Sequence, residues 1–217
     1  MREPKPERKF RPDGRRPQRP EAVPADDEHL IEGRNAVTEA LKSGRTINKV
    51  FIVSGGDHGL VRLSAMAREA GAVVVETDRR KLDQMSPTGA HQGIIAMASA
   101  HDYSTVDDML RLAEERGEKP LLIICDELSD PHNLGAILRT GECAGAHGVI
   151  IPKRRSVGLT AVVAKASAGA IEYMPVARVS NLVAAIQDLK ERGLWIYGTA
   201  ADGATPLHQV DLTGPAA

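Results

Sequence analysis

Aromatic side chains are scarce, 3% of 217 residues, so the core must be packed from aliphatic groups, which are plentiful in a chain that is 42% hydrophobic. Cysteine is nearly absent. Cys125 and Cys143 form no CxxC or metal-ligand spacing, which leaves two buried thiols in a reducing cytoplasm as the expectation, and no metal site. Long apolar runs are missing too. The longest, PLLIIC and GVIIP, fall far short of the roughly 20 residues that cross a bilayer. The basic start carries no apolar segment of the kind a secretory signal needs. No membrane partner is expected, and a cytoplasmic location is.

Charge is present in both signs and nearly cancels, at −1, yet it is unevenly spread. Residues 1–20 hold eight Lys and Arg against three acids, a local +5, and the remaining 197 residues therefore carry −6. Six of the 13 prolines fall within residues 1–24. A segment so poor in apolar groups cannot offset its ordering entropy, so residues 1–28 read as a disordered basic arm. Such arms bind nucleic-acid phosphates without sequence preference.

From residue 29 the pattern is α/β. Residues 29–102 read as a compact unit of strands at 48–53, 72–76 and 93–99, with a helix that puts Val37, Ala40 and Leu41 on one face and ends at Gly44, and helices over 59–71 and 78–85. Residues 103–119 form a linker and a helix capped by Ser104 or Thr105. From 120 to 217, strands are expected at 121–125, 148–152, 171–176 and 194–198, with helices around 131–144, 159–169 and 181–192. These strands are continuous aliphatic runs, as expected where both faces of a parallel sheet are covered. No internal repeat is evident. In open parallel sheets ligands bind beyond the carboxyl ends of the strands, which selects 126–133, 153–158, 177–180 and 199–204.

One of those stretches, SDPHNLGAILRT at 129–140, carries more polarity than a helix start requires. Asp130 suits the N-cap and Pro131 the first helical position, where no N–H is needed. Leu134, Ile137 and Leu138 form the apolar stripe, and Gly135 and Ala136 permit close backbone approach. Arg139 lies well over 90° from the centre of that stripe and is not explained by packing; a solvated arginine is the ordinary alternative. Asn133, in the first turn at a strand's carboxyl end, could hold a ligand hydroxyl or steer a guanidinium. Glu142, one turn on, could pair with Arg139. Lys153, Arg154 and Arg155 follow a strand and suit phosphate contact, with a solvated charged turn as the alternative.

The stretch CDELSDPHNLGAILRTGECAGAHGVIIPKRRS resembles the first conserved motif of the SpoU, or TrmH-like, branch of the SPOUT RNA methyltransferases, through Asp130, Pro131, Asn133, Gly135, Arg139 and Thr140. AKASAGAIEYMPVARVSNL matches further along, at Lys165, Ser167, Gly169, Ala170, Glu172 and Pro175. IEGRNAVTEAL and AHQGIIA are similar to the family's small RNA-binding domain, related to ribosomal protein L30e. The resemblance implies an α/β fold in which a small L30e-like domain (29–102) precedes a parallel-sheet SPOUT, or α/β knot, domain (120–217). It further implies methyl transfer from S-adenosylmethionine to a ribose 2′-hydroxyl, with 23S rRNA guanosine as the target of the nearest relatives, and a homodimer at full length.

On that basis Arg139 would polarise the attacking hydroxyl and stabilise its developing charge, because guanidinium does not deprotonate in proteins. Asn133 would position the ribose or Arg139. Arg34, His91, Lys153, Arg154 and Arg155 would contact RNA, which a 2′-hydroxyl distinguishes from DNA. No GxGxxG follows a strand, so a Rossmann cofactor site is not indicated. In the family the cofactor lies in a C-terminal knot, of whose pocket Gly198, Thr199 and Ala200 are the matching residues. The family pattern continues beyond DLTGPAA into a Gly/Glu-rich loop and a helix with Ser-Leu-Asn. The 217-residue chain is therefore expected to be truncated before the knot, to bind S-adenosylmethionine weakly or not at all, and to leave a sheet edge unpaired and an apolar face bare. The alternatives are a non-catalytic RNA-binding protein, an inactive fragment, or a tRNA 2′-O-methyltransferase.

Overall fold

In a computed structural model that describes residues 29–200 and 205–217, the aliphatic runs become two separate sheets. The basic arm lies outside the described residues. The first sheet contains β1 (Leu30–Glu32), β2 (Ile47–Val53), β3 (Val73–Thr77) and β4 (Ile94–Ala98), in the order β1-β4-β2-β3. Only the β2–β3 pair is parallel; β4 runs antiparallel to both β1 and β2. The helices α1 (Arg34–Lys42), α2 (His58–Glu69) and α3 (Arg79–Met85) connect these strands. Val50, Ile52, Leu60, Leu63 and Ile94 fill one side, and Phe51, Leu82, Met85 and Ile95 the other. That alternation along β2 is what a sheet covered on both faces requires.

The second sheet is parallel, with β5 (Leu122–Ile124), β6 (Gly148–Pro152) and β7 (Val176–Val179) in sequence order. On one face lie α5 (Pro131–Cys143) and α6 (Ala161–Ala166), which bury Leu134, Leu138 and Val163 against Val149, Ile151 and Val176. The other face is covered by α4 (Val106–Arg116) and α7 (Leu182–Glu191), through Met109 and Leu189 on Leu122, Ile150 and Ala177. Thr105 caps α4 in a full capping box with Asp108, so the 103–119 segment forms part of the core as well as a connection.

Several expectations need correction. The bare apolar face does not exist among the described residues, since α4 and α7 cover it. The β5 edge is paired: Leu122 N–H donates to Ala216 O at 2.9 Å, and Ala216 N–H to Pro120 O at 2.9 Å. Residues 194–198 form no regular strand in the sheet; Trp195 bridges Ala216 in parallel, outside β5. The strand expected at 171–176 begins at Val176, because Ala170–Glu172 coil into a 3-10 turn after Gly169 (φ 93°). Cys143 is exposed and only Cys125 is buried, and burial pushes the Cys125 thiol up to about 11.

Candidate active site

The expected start of α5 is present. Asp130 Oδ1 accepts from His132 N–H at 2.8 Å, and Pro131 occupies the first turn. Gly135 is where α5 meets α6: a Cβ there would stand 2.4 Å from the Ala166 Cβ and 3.0 Å from the Ser167 nitrogen. This contact presses the buried half of α5 inward, and Leu134, Gly135, Leu138 and Gly141 are all buried. The opposite half is left to solvent.

Asn133 and Arg139 both stand on that solvent half and are exposed. Helical geometry separates them by about 120° around the axis and about 9 Å along it, so they flank one open surface without touching. Among the described residues neither side chain has a hydrogen-bond or ion-pair partner. Glu142 does not pair with Arg139; its carboxylate faces the Cys143 thiol at 3.8 Å.

The carboxyl ends of the parallel strands gather the other candidates. Lys153, Arg154 and Arg155 leave β6 on this rim. Lys153 N–H is held by Val179 O at 2.8 Å, and its ammonium lies 3.5 Å from where a Gly71 Cβ would be, against the small sheet. Arg155 Nη1 faces Glu127 Oε1 at 3.5 Å, and both residues are well exposed. Glu127 (φ 50°) and Arg155 (φ 58°) both hold left-handed backbone, a conformation that costs roughly 1–3 kcal/mol without glycine and clusters at functional sites. Because the Trp195–Ala216 and Leu121–Ala216 bridges are parallel, Gly198, Thr199 and Ala200 emerge at this same rim, on the β5 side. They are exposed. A Cβ on Gly198 would meet nothing within 4 Å. Cavities of about 170 and 390 Å³ lie elsewhere, lined by residues such as Ile52, Leu60 and Arg68, and Ser43, Arg45 and Asp102.

In the small unit, Arg34 is partly exposed and tied down on two sides. Its Nη1 donates to Asp57 Oδ2 at 2.8 Å and its Nε to Gln92 O at 3.2 Å. The Arg34 guanidinium, with help from the Leu60 amide, holds the Asp57 carboxyl below the usual carboxylate range. His91, expected to contact RNA, is turned into the fold. It is 1% exposed, with Nδ1 accepting from Gly93 N–H at 3.0 Å and Nε2 against Asp83 at 2.9 Å. It braces the turn into β4 from inside the fold.

Three polar residues with no place in the sequence expectations join the two units: Asn48, Tyr103 and Arg178. A signal was available, since Asn48 and Arg178 are polar residues within the mainly apolar INKVFIV and VARV strands.

Comparison with known proteins places these units in context. Residues 30–104 match the model of the RNA 2′-O ribose methyltransferase substrate-binding domain, and residues 120–217 that of the SpoU rRNA methylase family. The chain is 47% identical over 188 residues to YacO of Bacillus subtilis, assigned to the TrmH family of tRNA/rRNA methyltransferases, covering 86% of this chain and 75% of that one. It is 44% identical to an uncharacterized tRNA/rRNA methyltransferase of Synechocystis, over 86% of this chain and 49% of the other. Among solved structures, the SpoU methyltransferase AviRb of Streptomyces viridochromogenes with AdoMet is 19% identical, with a TM-score of 0.46 over 86% of this chain and 70% of that one. An AdoMet-bound rRNA methyltransferase of Sinorhizobium meliloti is 22% identical, with a TM-score of 0.44 over 87% and 68%.

Proposed function

We propose, from the premise that the chain belongs to the SpoU/TrmH family of RNA methyltransferases, that it methylates a ribose 2′-oxygen, on a guanosine of 23S rRNA. The observation that carries this reading is Arg139: a cation whose side chain has no partner among the described residues, on the open half of α5 that also carries Asn133. A surface arginine kept for solubility needs no carboxamide on the same open surface and no polar helix start at a sheet's carboxyl rim.

S-adenosylmethionine would supply an electrophilic methyl on its sulfonium. In place of the weak or absent cofactor binding expected from the sequence, this chain would bind the group, with Gly198, Thr199 and Ala200, exposed at the rim and with open space around Gly198, at one edge of it. The chain's own work is electrostatic. The ribose oxygen would gain negative charge as its proton passes to water, a C–O bond would form as the S–C bond of the sulfonium breaks to leave a neutral thioether, and Arg139, positively charged throughout, would stabilise the charge on the oxygen. Asn133 holds the sugar so that the hydroxyl arrives in line. Arg154 and Arg155 take the flanking phosphates, Lys153 supports them from the small-sheet side, and Arg34 contacts RNA through the small unit.

Relatives named for both tRNA and rRNA keep a tRNA ribose as the second reading. We include a homodimer in the proposal, since Tyr173, Val183 and Trp195 leave large apolar side chains 74%, 76% and 69% exposed on the 120–217 unit. Incubation with labelled S-adenosylmethionine and separate transcripts of 23S rRNA and tRNA tests the choice. Label confined to the 23S rRNA ribose supports the first reading, and label confined to tRNA replaces it with the second.

A further inference from the structure

The two sheets meet at one polar cluster. Asn48, on β2, is 8% exposed and uses its whole side chain across the junction. Its Nδ2 donates to Leu159 O at 3.1 Å, while its Oδ1 accepts from the Tyr103 hydroxyl at 2.6 Å and from Arg178 Nη1 at 3.1 Å. Arg178 Nη2 reaches Asn48 O at 3.3 Å, and the guanidinium stacks on the Tyr103 ring at 4.9 Å. The Tyr103 hydroxyl in turn accepts from Leu159 N–H at 2.8 Å. Leu159 O takes two more bonds, from Ala100 N–H at 2.8 Å and Ser99 Oγ at 3.2 Å. A Cβ on Gly158 would stand 2.7 Å from both Asn48 Oδ1 and the Tyr103 oxygen, so the loop approaches as closely as its backbone allows.

The location of this cluster matters more than its size. Leu159 ends the β6–α6 loop, which begins with Lys153, Arg154 and Arg155, and Arg178 stands on β7 beside the same rim. The small sheet therefore grips the loop that borders the proposed transfer site. A covering of apolar residues would join two units without fixing their angle. Five directed bonds and one stacked cation fix it, because each has a narrow geometry.

We propose that Asn48, Tyr103 and Arg178 are positioning residues for methyl transfer, a joint that sets the register in which RNA held by the small unit meets the rim. The proposal rests on reading that rim as the transfer site. Losing the joint leaves each unit folded and each binding surface intact, but lets the bound ribose wander relative to Arg139. Misplacement of about 1 Å is enough to cost about a hundredfold in rate.

The test uses the full chain, in-vitro-transcribed 23S rRNA, and the variants Asn48→Ala, Tyr103→Phe and Arg178→Lys. Arg178→Lys keeps the charge but loses the fork and the stack. Two measurements are read together. Kinetics should give kcat lowered by about a hundredfold in Asn48→Ala, with RNA and S-adenosylmethionine affinities within about threefold of the parent. Spin-label distances between exposed Cys143 and an Arg62→Cys label, with the high-pKa thiol of Cys125 left unmodified, should be narrow in the parent and at least twice as broad in the variants. Parent-like kcat with broadened distances overturns the positioning role. Lowered kcat with unbroadened distances overturns the joint. A parent without methyl transfer would defeat the reading of the rim alone, and the label distances would still decide the joint.

Discussion

Arg139 and Tyr103 show two ways in which one side chain is set to a task. Arg139 is exposed and unpaired among the described residues, so its removal takes nothing from the core; exposed substitutions of this kind alter stability by about 0.5 kcal/mol or less. Arg139→Ala is expected to leave thermal melting within a few degrees of the parent while lowering kcat by about 10²–10³, and Arg139→Lys to recover only part of that. Tyr103 is partly buried, and the loss of water around it pushes its phenol above the ordinary value of 10.0, against the lowering pull of Arg178. The folded chain then retains a proton that the unfolded chain has lost, so the stability from this group is complete below pH 10 and falls as pH rises through the window above it. Alkaline absorbance titration of the parent minus Tyr103→Phe should show one phenol ionising late, and parent stability should decline more steeply than the variant's above that pH.

At the scale of elements, α5 carries the site because its two halves have opposite duties. Gly135 brings the buried half within contact of Ala166 and Ser167, and the polar residues are then necessarily presented on the other half. Gly135→Ala forces α5 and α6 apart and is expected to destabilise by about 1–3 kcal/mol, measurable in urea, with activity falling because Asn133 and Arg139 shift together. Much of this was legible in sequence. The Asp-Pro start, the Leu134–Leu138 stripe and the off-stripe Arg139 are local signals, and helix period alone places them. His91 was misread for the opposite reason: its role depends on Asp83 and on the Gly93 amide, and a local motif does not show what a ring nitrogen will face. Residues 171–176 misled because their aliphatic content suits a strand, while the left-handed Gly169 ahead of them turns the chain first.

The whole molecule is two sheets, a basic arm and a junction. The sheet composition was evident from continuous aliphatic runs, but the way the units meet was not, because Asn48, Tyr103, Leu159 and Arg178 are far apart in sequence and any of them alone reads as an ordinary surface or strand residue. The covering of the second sheet by α4 was equally hidden, since Met109 becomes buried only once the linker folds back over Gly148. The arm contributes at this scale through charge. Removing residues 1–20, with eight Lys and Arg, should weaken RNA binding and flatten its salt dependence. The log–log slope should drop by about 0.7 for each single-strand phosphate that the arm neutralises. Filter binding across a salt series measures this.

Where the methyl goes decides the central claim. After timed incubation of the chain with S-adenosylmethionine and 23S rRNA, nuclease digestion and mass spectrometry of the nucleosides should find one guanosine methylated on its ribose, with the yield in the Arg139→Ala reaction lower by about 10²–10³. A methyl on the base, or a ribose methyl formed equally well without Arg139, would contradict the account.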